Sequence, residues 1–119
     1  MSFAATDAVG FVLHTAINGL SLRQQVTADN IANVDTPGFR ARAVDFESAL
    51  RDAIDRGRAT GSSLGLSVQA TETPVGANDN NVDLRNETIA AIQTQYQYQV
   101  MSRAISDRDT RISTMGAAF

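Results

Sequence analysis

The chain has 119 residues, with 43% hydrophobic content and a formal net charge of −3. All ten of its basic residues are arginine and it contains no cysteine, which excludes a lysine Schiff base, a phosphate-binding P-loop, disulfides, thiolate catalysis and thiolate zinc sites. The small negative charge gives a nucleic-acid partner no electrostatic support.

The remaining composition favours no membrane segment and no enzyme. No apolar run approaches the roughly 20 residues that a membrane-spanning helix needs, and no basic segment precedes the first apolar stretch, so we expect no secretory signal peptide. His14 is the only histidine, and its candidate triad partners Ser21 and Ser48 lack a Gly-x-Ser-x-Gly turn. We therefore predict no catalytic, cofactor or metal site. Composition alone is typical of a soluble cytoplasmic protein of one domain or less.

The first predicted helix covers about 8–33, within an N-terminal region of 1–39. Thr6 or Asp7 could cap its start, and Gly19 could allow a close helix–helix approach. A helix with this wide an apolar face requires more than one neighbour. Its apolar residues recur at helical spacing: Val9, Val12, Leu13, Ala16, Ile17, Leu20, Val26 and Ile31.

The helix must end in the stretch Thr36-Pro37-Gly38. Thr36 precedes a proline and is therefore displaced toward extended geometry. Pro-Gly at the two central positions of a turn predicts type II, with Gly38 at positive φ. Asn33 could end the helix in the left-handed conformation, with Asn30 on the same helix face.

This stretch also resembles a known family. Its residues match the N-terminal signature of bacterial flagellar rod and hook proteins, and a turn alone would not require them all. The residues that carry the resemblance are Asn30, Ile31, Ala32, Asn33, Thr36, Pro37, Gly38 and Phe39.

The region 40–58 predicts a short amphipathic helix at about 45–56. Phe46, Leu50 and Ile54 recur on one face, Asp45 is a candidate N-cap and Gly57 a candidate stop. The family resemblance adds a second interpretation of Phe46 and Leu50, because rod and hook export substrates carry a short Phe-x-x-x-apolar signal that is recognised at the export gate. On spacing alone, the packing interpretation of these two residues is favoured.

The region 59–81 has the composition of a loop with one candidate strand. Alternation of Leu64, Leu66, Val68 and Ala70 with small or polar residues predicts a short strand. No convincing partner strand is apparent in the sequence, and a connection this long argues against a compact globular domain.

The region 82–119 predicts a helix at about 83–115, capped by Asn81 or Asp83 and closed by Gly116. Apolar residues spaced by sevens form a coiled-coil-like seam, which other apolar residues widen. The seven-spaced residues are Leu84, Ala91, Tyr98, Ile105, Ile112 and Phe119. The widening residues include Ile89, Ile92 and Tyr96. Residues predicted to pack in the helices or in an assembly are Leu13, Ile17, Leu20, Leu84, Ile89, Ile92, Tyr98, Ile105 and Ile112.

The predicted fold class is mainly α, with the two terminal helices paired as a coiled-coil-like hairpin around a short middle helix and a loose, partly extended or disordered middle. Together the termini form one helical assembly domain. Two helices bury little surface for 119 residues, so we expect a marginal monomer whose core is completed by neighbouring copies.

The C-terminal half also resembles this family, and in particular the rod proteins of the proximal position. The residues that carry this second resemblance are Asn80 to Leu84, Glu87 and Tyr98-Gln99. It implies a structural subunit of the basal-body rod that is exported without a cleaved signal peptide through the flagellar type III apparatus. The implied partners are copies of itself, other rod proteins, and membrane-ring and export-gate components, with no nucleic acid or small-molecule substrate. The alternative from the residues alone is a soluble cytoplasmic helical adaptor or regulator.

Overall fold

The computed structural model describes residues 3–57 and 65–118 of the chain. Two long helices carry most of the structure, and the segment between them supplies a short helix and a small sheet. The elements are α1 (Phe3–Ala32), β1 (Arg42–Val44), α2 (Phe46–Asp55), β2 (Val68–Ala70), a 3₁₀ turn (Ala77–Asp79) and α3 (Leu84–Ala118).

The predicted helical hairpin is confirmed. The start of α1 lies beside the C-terminal part of α3, since Gly10 adjoins the Arg108 guanidinium. The end of α1 lies beside the start of α3, since the Asn80 side chain donates to the Asn33 carbonyl at 2.9 Å. The pair gives the molecule an elongated shape of 64 × 27 × 15 Å. In the part of the chain that the structure describes, no helix is long and apolar enough to cross a membrane.

Two predicted helix ends need correction. The backbone is already helical from Phe3, so neither Thr6 nor Asp7 caps α1. At the other end, α3 continues through Gly116 to Ala118, because one glycine costs a helix only about 1 kcal/mol relative to alanine. Phe119, the last residue of the predicted seam, lies outside the described residues.

The middle helix follows its prediction closely. The Asp45 carboxylate accepts a hydrogen bond from the Ser48 amide at 3.1 Å and caps α2. The helix ends at Asp55, and Gly57 follows with φ +67°, a conformation that glycine adopts without a steric penalty.

The core is small and sits where the middle segment crosses α1. Partly buried Leu22, Leu66, Tyr98 and Met101 surround it. Its buried members are Ala16, Leu20, Val26, Val44 and Phe46.

Gly19 permits the closest contact of this core. A Cβ at position 19 would lie 2.3 Å from Cγ of Phe46, so the aromatic ring rests directly on the backbone of α1. The close approach expected at Gly19 therefore exists, but its partner is a side chain of α2 rather than a second long helix.

The expectation that β2 lacks a partner is wrong. β1 and β2 pair antiparallel with Arg42 opposite Ala70 and Val44 opposite Val68. Strand β1 has only three residues, too few to show a period of two, and its position depends on contacts with α1 that are distant in sequence. Leu64, the first residue of the predicted alternation, lies outside the described residues.

Gly19→Ala should destabilise the protein although it replaces glycine within a helix. Alanine gains about 1 kcal/mol of helix propensity, but its Cβ would displace the Phe46 ring, and such overpacking costs about 1–3 kcal/mol. Gly116→Ala is the matched control, because nothing lies within 4 Å of its Cβ position in α3. Thermal and urea unfolding followed by circular dichroism should show a loss for Gly19→Ala and a small gain for Gly116→Ala. Equal gains in stability for the two variants would contradict the close contact between Gly19 and the Phe46 ring.

Candidate functional site

Four asparagines organise the junction at which α1 ends and α3 begins. We call Asn30, Asn33, Asn80 and Asn81 the asparagine clamp. Three of them are buried, with exposed fractions of 1% for Asn30, 7% for Asn80 and 5% for Asn81. A buried amide must be hydrogen-bonded to be tolerated, so the partners of these side chains define the geometry of the site.

Asn30 holds β1 against α1. Its Nδ2 donates to the carbonyl oxygen of Arg42 at 2.7 Å, and its Oδ1 accepts from the Arg42 amide at 3.1 Å. One side-chain amide thus satisfies both backbone groups of a strand residue, as a neighbouring strand would. An ion pair between Arg42 and Asp29, with Nη2 and Oδ2 2.5 Å apart, adds a more exposed contact at the same place.

Asn33 organises the exit from α1, though not as predicted. The non-glycine residues with positive φ in the described chain do not include Asn33, so its left-handed cap is wrong. Its side chain acts instead, because Nδ2 donates to the Asp29 carbonyl at 2.8 Å and Oδ1 accepts from the Thr36 hydroxyl at 3.0 Å.

The predicted Pro-Gly turn is confirmed. Gly38 has φ +75°, and the Phe39 amide donates to the Thr36 carbonyl at 3.2 Å, as a type II turn requires. Thr36, Pro37 and Gly38 are exposed, whereas Phe39 is partly buried. Of the other signature residues, Ile31 is partly buried and Ala32 is exposed.

Asn80 joins this turn to the segment that leads into α3. Its Nδ2 donates to the carbonyl oxygens of Asn33 at 2.9 Å and Thr36 at 2.8 Å, and its Oδ1 accepts from the Val82 amide at 2.8 Å. The N-terminal signature and the C-terminal motif, 47 residues apart along the chain, therefore form a single site.

Asn81 completes the clamp on the strand side. Its Oδ1 accepts from the amide of Ala41 at 2.6 Å, and its Nδ2 donates to the Thr73 carbonyl at 3.1 Å. Ala41 is only 1% exposed, so its amide has no access to water as an alternative partner.

Two adjacent residues with positive φ shape the approach to Asn80. Asn78 and Asp79 have φ values of +59° and +58°, a conformation that costs non-glycine residues of order 1 kcal/mol each. The Asn78 carbonyl accepts from the Gly38 amide at 2.9 Å, and the Arg40 guanidinium bonds both the Asp79 carboxylate, at 2.7 Å, and its carbonyl oxygen. These contacts hold the strained turn against the Pro-Gly turn.

Of the two predicted caps of α3, Asn81 and Asp83, it is Asp83 that caps the helix, through a 3.2 Å bond from the Asn86 amide. Partial burial raises the pKa of Glu87, the nearby Asp83 carboxylate adds to the effect, and a hydrogen bond from the Asn30 side chain opposes it. By contrast, hydrogen bonds from the side chain and backbone of Ser48 lower the pKa of the Asp45 carboxyl.

The asparagine clamp is suited to stabilising the fold rather than to catalysis or metal binding. Within residues 3–57 and 65–118, no buried side-chain nitrogen or oxygen lacks a hydrogen-bond partner. The same described residues contain no group of three or more histidine, aspartate or glutamate side chains that could hold a metal ion. His14 is exposed on α1.

The predicted packing residues divide into two groups. Residues along the helix interface are buried or partly buried, and those elsewhere on α3 are exposed. The first group comprises Leu13, Ile17, Leu20, Tyr98 and Ile105, and the second comprises Leu84, Ile89, Ile92 and Ile112.

A second apolar stripe runs along the side of α3 that faces away from α1. We call Ile89, Ile92, Tyr96 and Val100 the outer stripe; their exposed fractions are 46%, 51%, 66% and 62%. At 100° per residue, the stripe lies about 160° around the helix from Thr94, which is 1% exposed and lies on the same side of α3 as Tyr98 and Met101, which pack against the core. In the single chain, α1 therefore covers one face of α3 and leaves the opposite face to solvent.

Phe46 and Leu50, the candidate export residues, occupy the α2 side of the core. Phe46 is buried on Gly19, and the Arg23 guanidinium carbon lies 4.8 Å from the centre of its ring. The same arginine donates to the Val44 carbonyl at 2.6 Å and pairs with Glu47 at 2.5 Å. Leu50 is partly buried. In the folded chain Phe46 is therefore inaccessible to a partner.

Sequence reasoning did not identify the roles of Arg23 and Asn81. Nothing local distinguishes Arg23 from other helix-surface arginines, and the local sequence indicates no role for Asn81 beyond that of a helix cap. The Asn80-Asn81 pair was singled out by resemblance, and this was the only signal that pointed to the clamp from the C-terminal side.

Comparison with known proteins adds the family. Residues 12–40 match the model of a family described as "Flagella basal body rod protein". The chain is 34% identical over 110 residues to the flagellar basal body rod protein FlgB of Escherichia coli, covering 76% of this chain and 80% of that protein. It is 28% identical over 115 residues to FlgB of Bacillus subtilis, covering 87% of this chain and 88% of that one.

Other relatives are matched over a smaller share. FlgB of Yersinia ruckeri is 42% identical over 69 residues, which cover 58% of this chain and 50% of that protein. FlgB of Yersinia enterocolitica is matched over 39% of its own length. The chain thus aligns with half or less of these two relatives.

Asn81→Ala should destabilise the fold by about 1–3 kcal/mol, because it leaves the buried Ala41 amide without an acceptor. Asn86→Ala is the control, since this exposed asparagine also lies near the start of α3 and surface changes stay within about 0.5 kcal/mol. Urea unfolding gives the free-energy difference, and hydrogen exchange should speed up at the Ala41 amide. Unchanged exchange at that amide would show that Asn81 is not its essential partner.

Proposed function

Because this chain belongs to the flagellar basal body rod protein family, we propose that it is a structural subunit of the rod that assembles through the outer stripe of α3. The observation that carries this proposal is the pair of opposite apolar faces on one helix. A helix apolar on two faces requires partners on both, and the described chain supplies one of them.

The energy available from the outer stripe is sufficient for assembly with neighbours. Full burial of a large apolar side chain contributes about 1.5–3 kcal/mol. Each stripe residue is roughly half covered already, so covering the four contributes on the order of 3–6 kcal/mol. A contact of this size is weak alone and becomes stable when each subunit has several neighbours.

The asparagine clamp supports the same role. It fixes the angle between the two long helices and the middle segment with hydrogen bonds that are satisfied inside one chain. A subunit with a defined shape at this junction presents its outer stripe in one orientation, which repeated contacts require.

The finer assignments extend this proposal. The subunit lies at the proximal position, contacts copies of itself, other rod proteins and components at the rod base, and is not an enzyme. It reaches the rod unfolded through the flagellar type III apparatus, with Phe46 and Leu50 read by the export gate before they are buried against α1.

Replacement of Ile92 and Tyr96 by serine should abolish incorporation into basal bodies while leaving the isolated subunit folded, because both side chains lie on the outer stripe. The control is Gln95→Ser with Gln97→Ser, which alters two exposed positions of α3 that lie about 60° or more around the helix from every stripe residue. Motility, the subunit content of purified basal bodies and circular dichroism of the pure proteins give the result. Normal incorporation of the stripe variant would refute the role of the outer stripe in assembly. Recovery of the wild-type chain only in the cytosol would favour a cytoplasmic adaptor instead of a rod subunit.

The double variant Phe46→Ala/Leu50→Ala should accumulate in the cytoplasm if these residues form an export signal. Loss of folding alone could also prevent assembly, so the control is Gly19→Ala, which disturbs the same packing but leaves Phe46 and Leu50 in place. We expect Gly19→Ala to be exported and the double variant to be retained, as measured by cell fractionation. Normal export of the double variant would restrict both residues to packing.

A further inference from the structure

The small sheet has one closed edge and one open edge. On the outer side of β1, Asn30 bonds both backbone groups of Arg42 and Arg23 donates to the Val44 carbonyl. Two side chains of α1 thus occupy the places that a third strand would need. Any further strand can join the sheet only beside β2.

The direction of each backbone group in β2 follows from the pairing. The Thr71 amide donates to the Ala41 carbonyl at 3.0 Å, so Ala41, and by alternation Ala43, face β2. Arg42 and Val44 face away from it, which agrees with their bonds to α1. Their partners in the register, Ala70 and Val68, therefore direct their amides and carbonyls away from β1.

Within residues 3–57 and 65–118, no helix or strand lies along this outer edge of β2. All three β2 residues are exposed, and β1 is the only helix or strand that β2 contacts among the described residues. Natural edge strands are commonly protected by charged residues or proline, yet the sequence 59–71 contains neither. The short length of the strand is the only protective feature.

We propose that the open edge of β2 pairs antiparallel with the same edge of a second copy of this chain. In the matching register, Val68 lies opposite Ala70 of the second copy, and Ala70 opposite its Val68. Each of these residues donates one hydrogen bond and accepts one. The result is a continuous four-stranded sheet in which both closed edges lie outside.

Self-complementarity favours a second copy over an unrelated extended segment. On the face that carries Val44, Val68 lies opposite Ala70 of the second copy, so two apolar side chains meet at the junction, and each row across the four strands runs Val44, Val68, Ala70, Arg42. Gln69 lies opposite Gln69 of the second copy on the other face, with no charge on either side. An isologous contact of this kind is the commonest mode of association between identical chains.

Ala70→Pro tests the pairing without breaking the internal sheet. The Ala70 amide points away from β1, so proline at this position removes only a hydrogen-bond donor on the outer edge of β2. Edge strands tolerate proline where the amide faces outward. Ala70→Val is the matched control because it retains the amide. Sedimentation equilibrium of the full chain should show dimerisation weakened on the order of tenfold or more by Ala70→Pro, since one bond is lost from each copy, and little changed by Ala70→Val.

Amide hydrogen exchange provides a site-specific readout. The Val68 and Ala70 amides should become more protected as protein concentration rises, whereas the Gln69 amide, which faces β1, should not change. Concentration-independent exchange at both Val68 and Ala70 would overturn the proposal, as would a dimer that Ala70→Pro leaves unaffected.

Charge substitution at Gln69 identifies the partner. Gln69→Lys and Gln69→Glu should each dimerise roughly two- to fivefold more weakly than wild type, because like charges would lie directly opposite each other. An equimolar mixture of the two variants should regain association through mixed dimers, detected by native mass spectrometry. If the mixture of the two variants does not regain association, a second copy of this chain is excluded as the partner of the β2 edge. A different protein would then be the partner of this edge.

Discussion

The fold depends on side-chain amides that take the place of backbone partners. A carboxamide carries the same donor and acceptor groups as a peptide group, so Asn30 and Asn81 can bond backbone groups of Arg42 in β1 and of Ala41 just before it. Ala41 and Arg42 lie between these two asparagines, one bonded to each. Without them, the chain leaving α1 would bury backbone groups that no strand or helix satisfies, at a cost of about 1–3 kcal/mol each. The positions of β1 and of the start of α3 follow from that requirement.

Polar and apolar interactions are divided between the inside and the outside of the subunit. The asparagine clamp makes its hydrogen bonds within one chain. The outer stripe of α3 is the reverse, since its four side chains remain 46–66% exposed in the part of the chain that the structure describes. Hydrogen bonds are directional and fix shape, whereas apolar burial is not directional and tolerates small adjustments between subunits. A chain that sets its own geometry with amides and associates through apolar faces is suited to repeated assembly.

Much of the fold could be predicted, because its signals are local or periodic. Helical spacing identified α1, α2 and α3, and the Pro37-Gly38 pair identified the turn, since each depends on residues adjacent in sequence. Asp45 and Asp83 were recognised as caps for the same reason. The partner of β2 could not be predicted, because three residues show no periodicity and β1 is positioned by Asn30 and Arg23. The sequence indicated Asn33 as the end of α1, but it predicted a left-handed backbone there, whereas the Asn33 side chain makes the hydrogen bonds that end the helix. The outer stripe was visible as a widened seam, but its exposure depends on which face α1 covers.

The same contacts lead us to expect that the isolated subunit is only marginally stable. The core cluster contains five buried apolar side chains, and the clamp joins residues up to 47 positions apart, so the hydrogen bonds of the clamp cannot form until the helices have met. Closing such long loops costs entropy before any contact compensates for it. Neighbours that cover the outer stripe bind only the folded helix pair, and binding to the native state alone stabilises it by mass action. Assembly and completion of the asparagine clamp would therefore reinforce each other: a chain that is loosely folded alone becomes well ordered where its neighbours are concentrated.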